Sequence, residues 1–197
     1  MTSYRKEDKL YVRELSSNDI HLVNGYWASL APADIDRMNI DPCKIPTPYL
    51  QADARMKLLN LPLRERKSDL LIWELNGRAV GMSTLRNIRY AEYGEIHLHM
   101  FEPELRGSGY GHRFFFITLQ QYFRKYELKL IVCQPSSRNL GPNRLLQKLG
   151  FTIAKTYRTV PGPLNREHEV NRYEITPALM AALASSVVFS GITSRSS

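Results

Sequence analysis

Glu95, His97 and His99 alternate with Ile96, Leu98 and Met100, so three titratable side chains share one face of an extended segment. In an ordinary sheet such a face is simply the wet one. Placed in a cleft, a carboxylate or a neutral imidazole at this spacing could take a proton from a nucleophile. Glu95 and His97 are the two candidate bases. Histidines at i and i+2 also make half of a metal site, but no third ligand stands at matching spacing, and no metal is expected. Cys43 and Cys133 lie far apart and form no zinc-ligand or C-x-x-C pattern. Cys133 closes the apolar run Leu128–Cys133, which reads as a buried strand and leaves the thiol in the core rather than in the chemistry.

Shortly after the histidines comes Arg106-Gly107-Ser108-Gly109-Tyr110-Gly111, between a strand pattern and a helix pattern. Glycines there let the backbone approach a ligand and turn its N–H groups inward, and the helix N-terminus adds partial positive charge. Together these features make a diphosphate cradle. A tight strand-to-helix turn would use the same residues without any ligand. The loop is not a Walker loop, because no G-K-[ST] closes it. It also sits in the middle of the chain, where a Rossmann loop would open the fold.

Arg106, Gly109 and Gly111 match the pattern Arg/Gln-x-x-Gly-x-Gly/Ala, and Asn139 to Phe151 (NLGPNRLLQKLGF) looks like an Asn-initiated helix ending in Leu-Gly-Phe. On these residues the chain resembles the GCN5-related N-acetyltransferase (GNAT) superfamily, in its Rim-type branch, over roughly Lys9–Ile175. The resemblance implies an α/β (α+β) fold. Its central sheet would be mixed and mostly antiparallel, with about seven strands splayed between strands 4 and 5 and about four flanking helices. It implies acetyl-CoA as co-substrate, with the pyrophosphate on Arg106, Gly107, Ser108, Gly109, Tyr110 and Gly111. The pantetheine arm would pair with the strand edge at Leu98, His99, Met100 and Phe101, and Asn139 and Asn143 would contact the arm or its neighbouring backbone. A plain N-cap is the other reading of Asn139. Glu95-Ile96 matches the branch's E-I pattern, which places a glutamate near the acceptor amine; His97 is the rival.

The implied activity is acetyl transfer to a primary amine by direct attack in a ternary complex, the acceptor being a small molecule or a protein N-terminus. Siderophore-type hydroxylamine acyltransferases share a similar H-L-x-x strand, but carry Asp where this chain has Arg138. A non-catalytic module that binds coenzyme A is a further alternative. The usual general-acid tyrosine is replaced by Leu146, and the serine frequent three residues after the asparagine by Pro142. Tyr157 could stand in as acid but reads more readily as an aromatic strand residue packed in the core, so no acid is assigned.

These residues must be positioned by a first strand at Lys9–Leu15, a helix from the Ser16–Asp19 caps to about Leu30, a loop at Ala31–Pro48 and a helix at Tyr49–Leu61. A hairpin turning at Asn76-Gly77 joins Leu70–Glu74 to Ala79–Arg89, and Glu95–Phe101 is the fourth strand. A helix at His112–Tyr126, the buried strand, a helix at Asn139–Leu149 and strands at Phe151–Thr159 and Glu169–Ile175 complete the pattern. Residues 1–176 form the catalytic domain, and 177–197 a helical extension with a flexible tail. The apolar segment Ala178–Phe189 is an expected contact for a second copy in a homodimer, and is short of the ~20 residues a membrane span needs.

The net charge of +8 favours anionic partners. The charges are scattered and no nucleic-acid motif accompanies them, so a polyphosphorylated cofactor is preferred to nucleic acid. A polar N-terminus and unpaired cysteines point to the cytoplasm, with no membrane partner.

Overall fold

The computed structural model describes residues 5 and 7–184. Seven strands form one sheet: β1 (Leu10–Glu14), β2 (Ser68–Leu75), β3 (Arg78–Arg89), β4 (Tyr93–Met100), β5 (Leu130–Cys133), β6 (Ile153–Thr159) and β7 (His168–Ile175). Their order is β1-β2-β3-β4-β5-β7-β6, and β4 and β5 form the parallel pair. The remaining neighbours are antiparallel. Asn76 (φ 53°) and Gly77 (φ 81°) both take the left-handed conformation that the β2–β3 hairpin signal requires.

The described helices are α1 (Ile20–Ala28), α2 (Pro32–Arg37), α3 (Pro48–Asn60), α4 (Tyr110–Tyr126), α5 (Leu140–Lys148) and α6 (Pro177–Ala184). Six replace the expected four. The segment 31–48, read from sequence as loop, contains α2 and a 3-10 turn at Pro42–Lys44. Pro32 at the first helical position and the Asp34–Arg37 ion pair (2.7 Å) support α2, whose six residues are too short for an apolar repeat.

The sheet separates two apolar layers. Under α4, α5 and α6, Trp73 stacks on Phe114 with centroids 5.2 Å apart, and its indole N–H donates to Thr118 Oγ1 at 2.9 Å. Leu98 and Met100 pack against this layer. On the opposite face, Leu15, Val23, Leu70, Ile72 and Met82 are covered by Tyr26, Trp27 and Leu59. The described part of the C-terminal apolar segment packs on its own domain. Met180 is buried, and Leu183 lies against Gly150, which ends the turn after α5 with φ 86°. Residues 185–197, including the expected tail, lie outside the described residues.

β5 ends at Cys133, opposite Ile96, while β4 runs on to Met100. Pairing between the central strands therefore stops halfway along β4, and the sheet opens there.

Candidate active site

The opening exposes one edge of β4. Phe101 donates its N–H to Val80 O at 2.9 Å, so the antiparallel alternation turns the main chains of His97 and His99 toward β3 as well. The same alternation leaves the N–H and C=O groups of Leu98 and Met100 facing the gap beyond β5. These are strand edges with no strand to receive them. Phe101, by contrast, gives its amide to β3 and its ring to Tyr26.

The glycine loop follows the unpaired end of β4 and leads into α4. Gly107 (φ 77°) and Gly109 (φ 96°) hold conformations that side-chain-bearing residues avoid, and Gly109 is the N-cap of the 17-residue α4 without any side-chain cap. A Cβ on Gly111 would lie 3.2 Å from Leu145, so that glycine lets α4 and α5 approach closely. The loop's side chains point elsewhere. Ser108 Oγ donates to Leu105 O, the buried Tyr110 hydroxyl donates to Asp8 at 2.7 Å, and Arg106 forms a two-pronged ion pair with Asp34 of α2 at 2.8 and 3.1 Å. What the loop offers an anion is its backbone and the positive end of α4.

Across the gap, Asn139 occupies the N-cap of α5, yet its side chain makes no capping bond and its buried Oδ1 has no partner. Asn139 lines the cleft, and an acceptor left over at its wall suits an N–H donor supplied by a ligand. Asn143 differs. Its Nδ2 donates to Ser136 O and Asn139 O (2.9 and 2.8 Å), and its Oδ1 accepts from Asn171 and Tyr173 (2.9 and 3.0 Å). With every hydrogen-bonding position filled, Asn143 holds the backbone beside the cleft and has nothing left for a cofactor.

The three titratable residues of β4 share a face but not an environment. His97 lines a cavity of about 160 Å³ together with His99, Trp27, Ile40, Asn139 and Leu164. The β6–β7 loop roofs it and is stitched to the segment after α2, through Asn165 Nδ2 on Met38 O and Asp41 N–H on Leu164 O, both 2.8 Å. Gly162 comes so near that an added Cβ would lie 3.6 Å from His97 Cε1. His97 Nε2 is buried without a hydrogen-bond partner. Burial, helped by the Arg86 cation, pulls its pKa down to about 4. Burial lowers His99 further, to about 3; its Nδ1 lies 3.2 Å from the Tyr26 hydroxyl and its ring is edge-on to Trp27 at 4.8 Å. Both imidazoles are neutral at pH 7.

Glu95 opens instead into an adjoining polar pocket with Arg86, Gln134, Tyr157 and Arg172. Its carboxylate accepts from Asn87 Nδ2 at 2.9 Å and from the Tyr93 hydroxyl. Tyr157, an alternative general acid from the sequence, donates to Gln134 in that pocket. Arg86 lines both spaces. Sequence reading passed over it, because its place opposite Glu95 follows only from the β3–β4 register. Burial pushes the Cys133 thiol up to about 12, which removes it as a nucleophile. Among the described residues, no group of three or more His, Cys, Asp or Glu side chains is placed to hold a metal ion. No helix among them is long and apolar enough to cross a membrane.

The family profile described as "Acetyltransferase (GNAT) domain" matches residues 9–152. The chain belongs to the GNAT acetyltransferases, and is an N-acetyltransferase that uses acetyl-CoA as co-substrate. No curated protein sequence matches it significantly. Among solved structures, the spermidine N-acetyltransferase of Vibrio cholerae in complex with CoA and spermine superposes with a TM-score of 0.71 at 16% identity, over 87% of this chain and 98% of that one. RimL, a ribosomal L7/L12 alpha-N-protein acetyltransferase in complex with coenzyme A, gives 0.69 at 14% identity over 85% and 93%. An uncharacterized protein from Bacillus halodurans gives 0.68 at 16% identity over 94% and 93%. These likenesses establish the fold, including the parallel β4–β5 pair at its centre.

Proposed function

We propose that the cleft between β4 and β5 acetylates a primary amine by direct attack within a ternary complex, with His97 receiving the amine proton. The observation that carries this reading is a set of three unsatisfied features on the elements that flank the open half of β4. They are the free β4 edge at Leu98 and Met100, the uncapped glycine turn opening α4, and the orphaned Asn139 Oδ1. Each suits one part of acetyl-CoA: amides for the pyrophosphate, strand edge for the pantetheine arm, and an acceptor oxygen for one of its N–H groups. Bound there, the co-substrate supplies the thioester carbonyl that the amine attacks.

The protein's own groups then divide the work. The Met100 N–H, facing the gap, is the donor available to the carbonyl oxygen as charge develops on it. His97 Nε2, neutral and without a partner, accepts the proton. An imidazole held near 4 is a weak base toward a free alkylammonium. It is an adequate one toward the much more acidic ammonium that exists once nitrogen has bonded to the carbonyl carbon. The amine must therefore arrive unprotonated, which the dry roof of prolines and Leu164 favours. As the C–N bond forms the C–S bond breaks, and the thiol of coenzyme A leaves with a proton relayed through His97. Glu95, next door and held by Asn87 and Tyr93, acts on the outgoing proton or on the acceptor, not on the carbonyl. Unpaired thiols at an exposed Cys43 and a buried Cys133 suit a reducing location, and we assign the cytoplasm.

Calorimetry with coenzyme A and thiol release from acetyl-CoA over an amine panel test this reading. His97→Gln should lower turnover by roughly 10²-fold or more while coenzyme A affinity holds, and Glu95→Gln should lower it less. Full turnover in both variants removes the base assignment. No heat of association with coenzyme A removes the reading as a whole.

A further inference from the structure

Arg86 is a cation with no hydrogen-bonded or ion-paired partner among the described residues, and it feels the Glu95 carboxylate only through space. It stands on β3 opposite Glu95 and two pairs along from Thr84, the neighbour of His97 on the same face. It lines both the His97 cavity and the adjoining polar pocket, yet its guanidinium makes no hydrogen bond or ion pair to any described residue. The neighbouring cation, Arg172, is held by Glu174 at 2.8 Å. Glu95, the sole carboxylate among the residues lining the two spaces, is bound by Asn87 and Tyr93 and lies outside ion-pairing reach of Arg86. Burial also pulls the Arg86 pKa below its ordinary value, as expected of a charge kept where water is scarce. A half-buried arginine facing a cavity with no bound carboxylate is a ready fork for one.

Resting on the amine-acetylating reading, we propose that the acceptor carries an anionic group beside its amine, a carboxylate first of all, and that Arg86 binds it while the amine sits at His97. The geometry suits an α-amino acid. Diagonal cross-strand neighbours such as Arg86 and His97 stand on the order of 7–8 Å apart at their backbones. That is within the reach of an arginine on one side and an imidazole on the other, with amine and carboxylate two bonds apart between them. Trp27, Met38, Ile40 and Leu164 provide an apolar wall for the acceptor's side chain. A polyamine fits badly. It would bring further positive charge toward Arg86 into a cavity whose lining includes no Asp or Glu.

The test pairs each acid with its amide: leucine with leucinamide and phenylalanine with phenylalaninamide, with spermidine alongside. Acetyl transfer is followed as thiol release and kcat/KM is expressed per unprotonated amine. Wild type should favour the acids by on the order of 30-fold or more, the scale of a truncated charge pair away from bulk water. Arg86→Met should bring the acid-to-amide ratio close to one, and Arg86→Lys should restore part of it. Melting curves and coenzyme A affinity show that the variants are folded. An acid-to-amide ratio near one in wild type, a ratio unchanged in Arg86→Met, or a preference for spermidine overturns the proposal while leaving the enzyme reading intact. Thiol release with none of the five amines overturns both.

Discussion

Acidification should destabilise this fold well before its carboxylates titrate. His97 and His99 are part-buried and neutral, with pKa values near 4 and 3 against about 6.5 in an unfolded chain. The unfolded chain therefore takes up protons that the folded one refuses. Stability is complete above pH 6.5 and is lost as pH falls through 6.5 toward the folded values. At pH 5 each histidine should cost roughly 2 kcal/mol relative to neutral pH, or about 4 kcal/mol together. Against a typical stability of 5–15 kcal/mol, that lowers the melting temperature of a chain this size by about 8–16 °C. Carboxylates held low, such as Asp19 near 2 under Arg13 and Ser16, stay ionised in both states at pH 5 and add little. His112, also lowered by burial, adds in the same direction. Thermal melts between pH 7.5 and 5 measure the drop. His97→Gln and His99→Gln should each remove close to half of it, whatever they do to stability at neutral pH. A drop under about 2 °C, or one that survives in the double variant, refutes the claim that the fold holds these imidazoles uncharged.

Asp34→Asn should release Arg106 for phosphate and tighten coenzyme A binding about fivefold at low salt, the gain shrinking as salt screens it; unchanged or weaker binding by calorimetry contradicts this. Asn139→Ala should weaken coenzyme A binding by about fivefold without loss of thermal stability, because Oδ1 has no partner to lose. Asn143→Ala should instead lower stability by about 3 kcal/mol in urea unfolding, since it strands buried groups at Ser136, Asn139, Asn171 and Tyr173. A thiol reagent should label Cys43 and spare Cys133 in the native protein, and mass spectrometry after mixing with acetyl-CoA should show no acetyl-enzyme.

What was legible in the sequence was local. Asn76-Gly77 dictates a hairpin by its backbone preferences, Gly150 ends a helix by adopting positive φ, and the glycines at 107, 109 and 111 announce a close approach wherever they stand. The alternation over Glu95–Met100 placed three titratable groups on one face correctly, but could not tell that a loop some 65 residues further on roofs His97 and leaves Glu95 in a different pocket. Nor could it pair Arg106 with Asp34, fill the hydrogen-bonding capacity of Asn143, or find Arg86 opposite Glu95. Those facts belong to register and to long-range closure. The short helix α2 was missed for a different reason: six residues held by a proline start and one ion pair carry no periodic signal.

Strand β4 addresses two audiences at right angles. Its backbone at Leu98 and Met100 faces sideways into the gap, while its side chains at His97 and His99 rise into the roofed cavity. Because every residue carries a backbone C=O and all but proline an N–H, the sideways face tolerates almost any spelling of the strand, whereas the upward face changes with each substitution. A lineage carrying this scaffold is thus free to rewrite which molecules it modifies, one side chain at a time, without renegotiating the donor they are modified from.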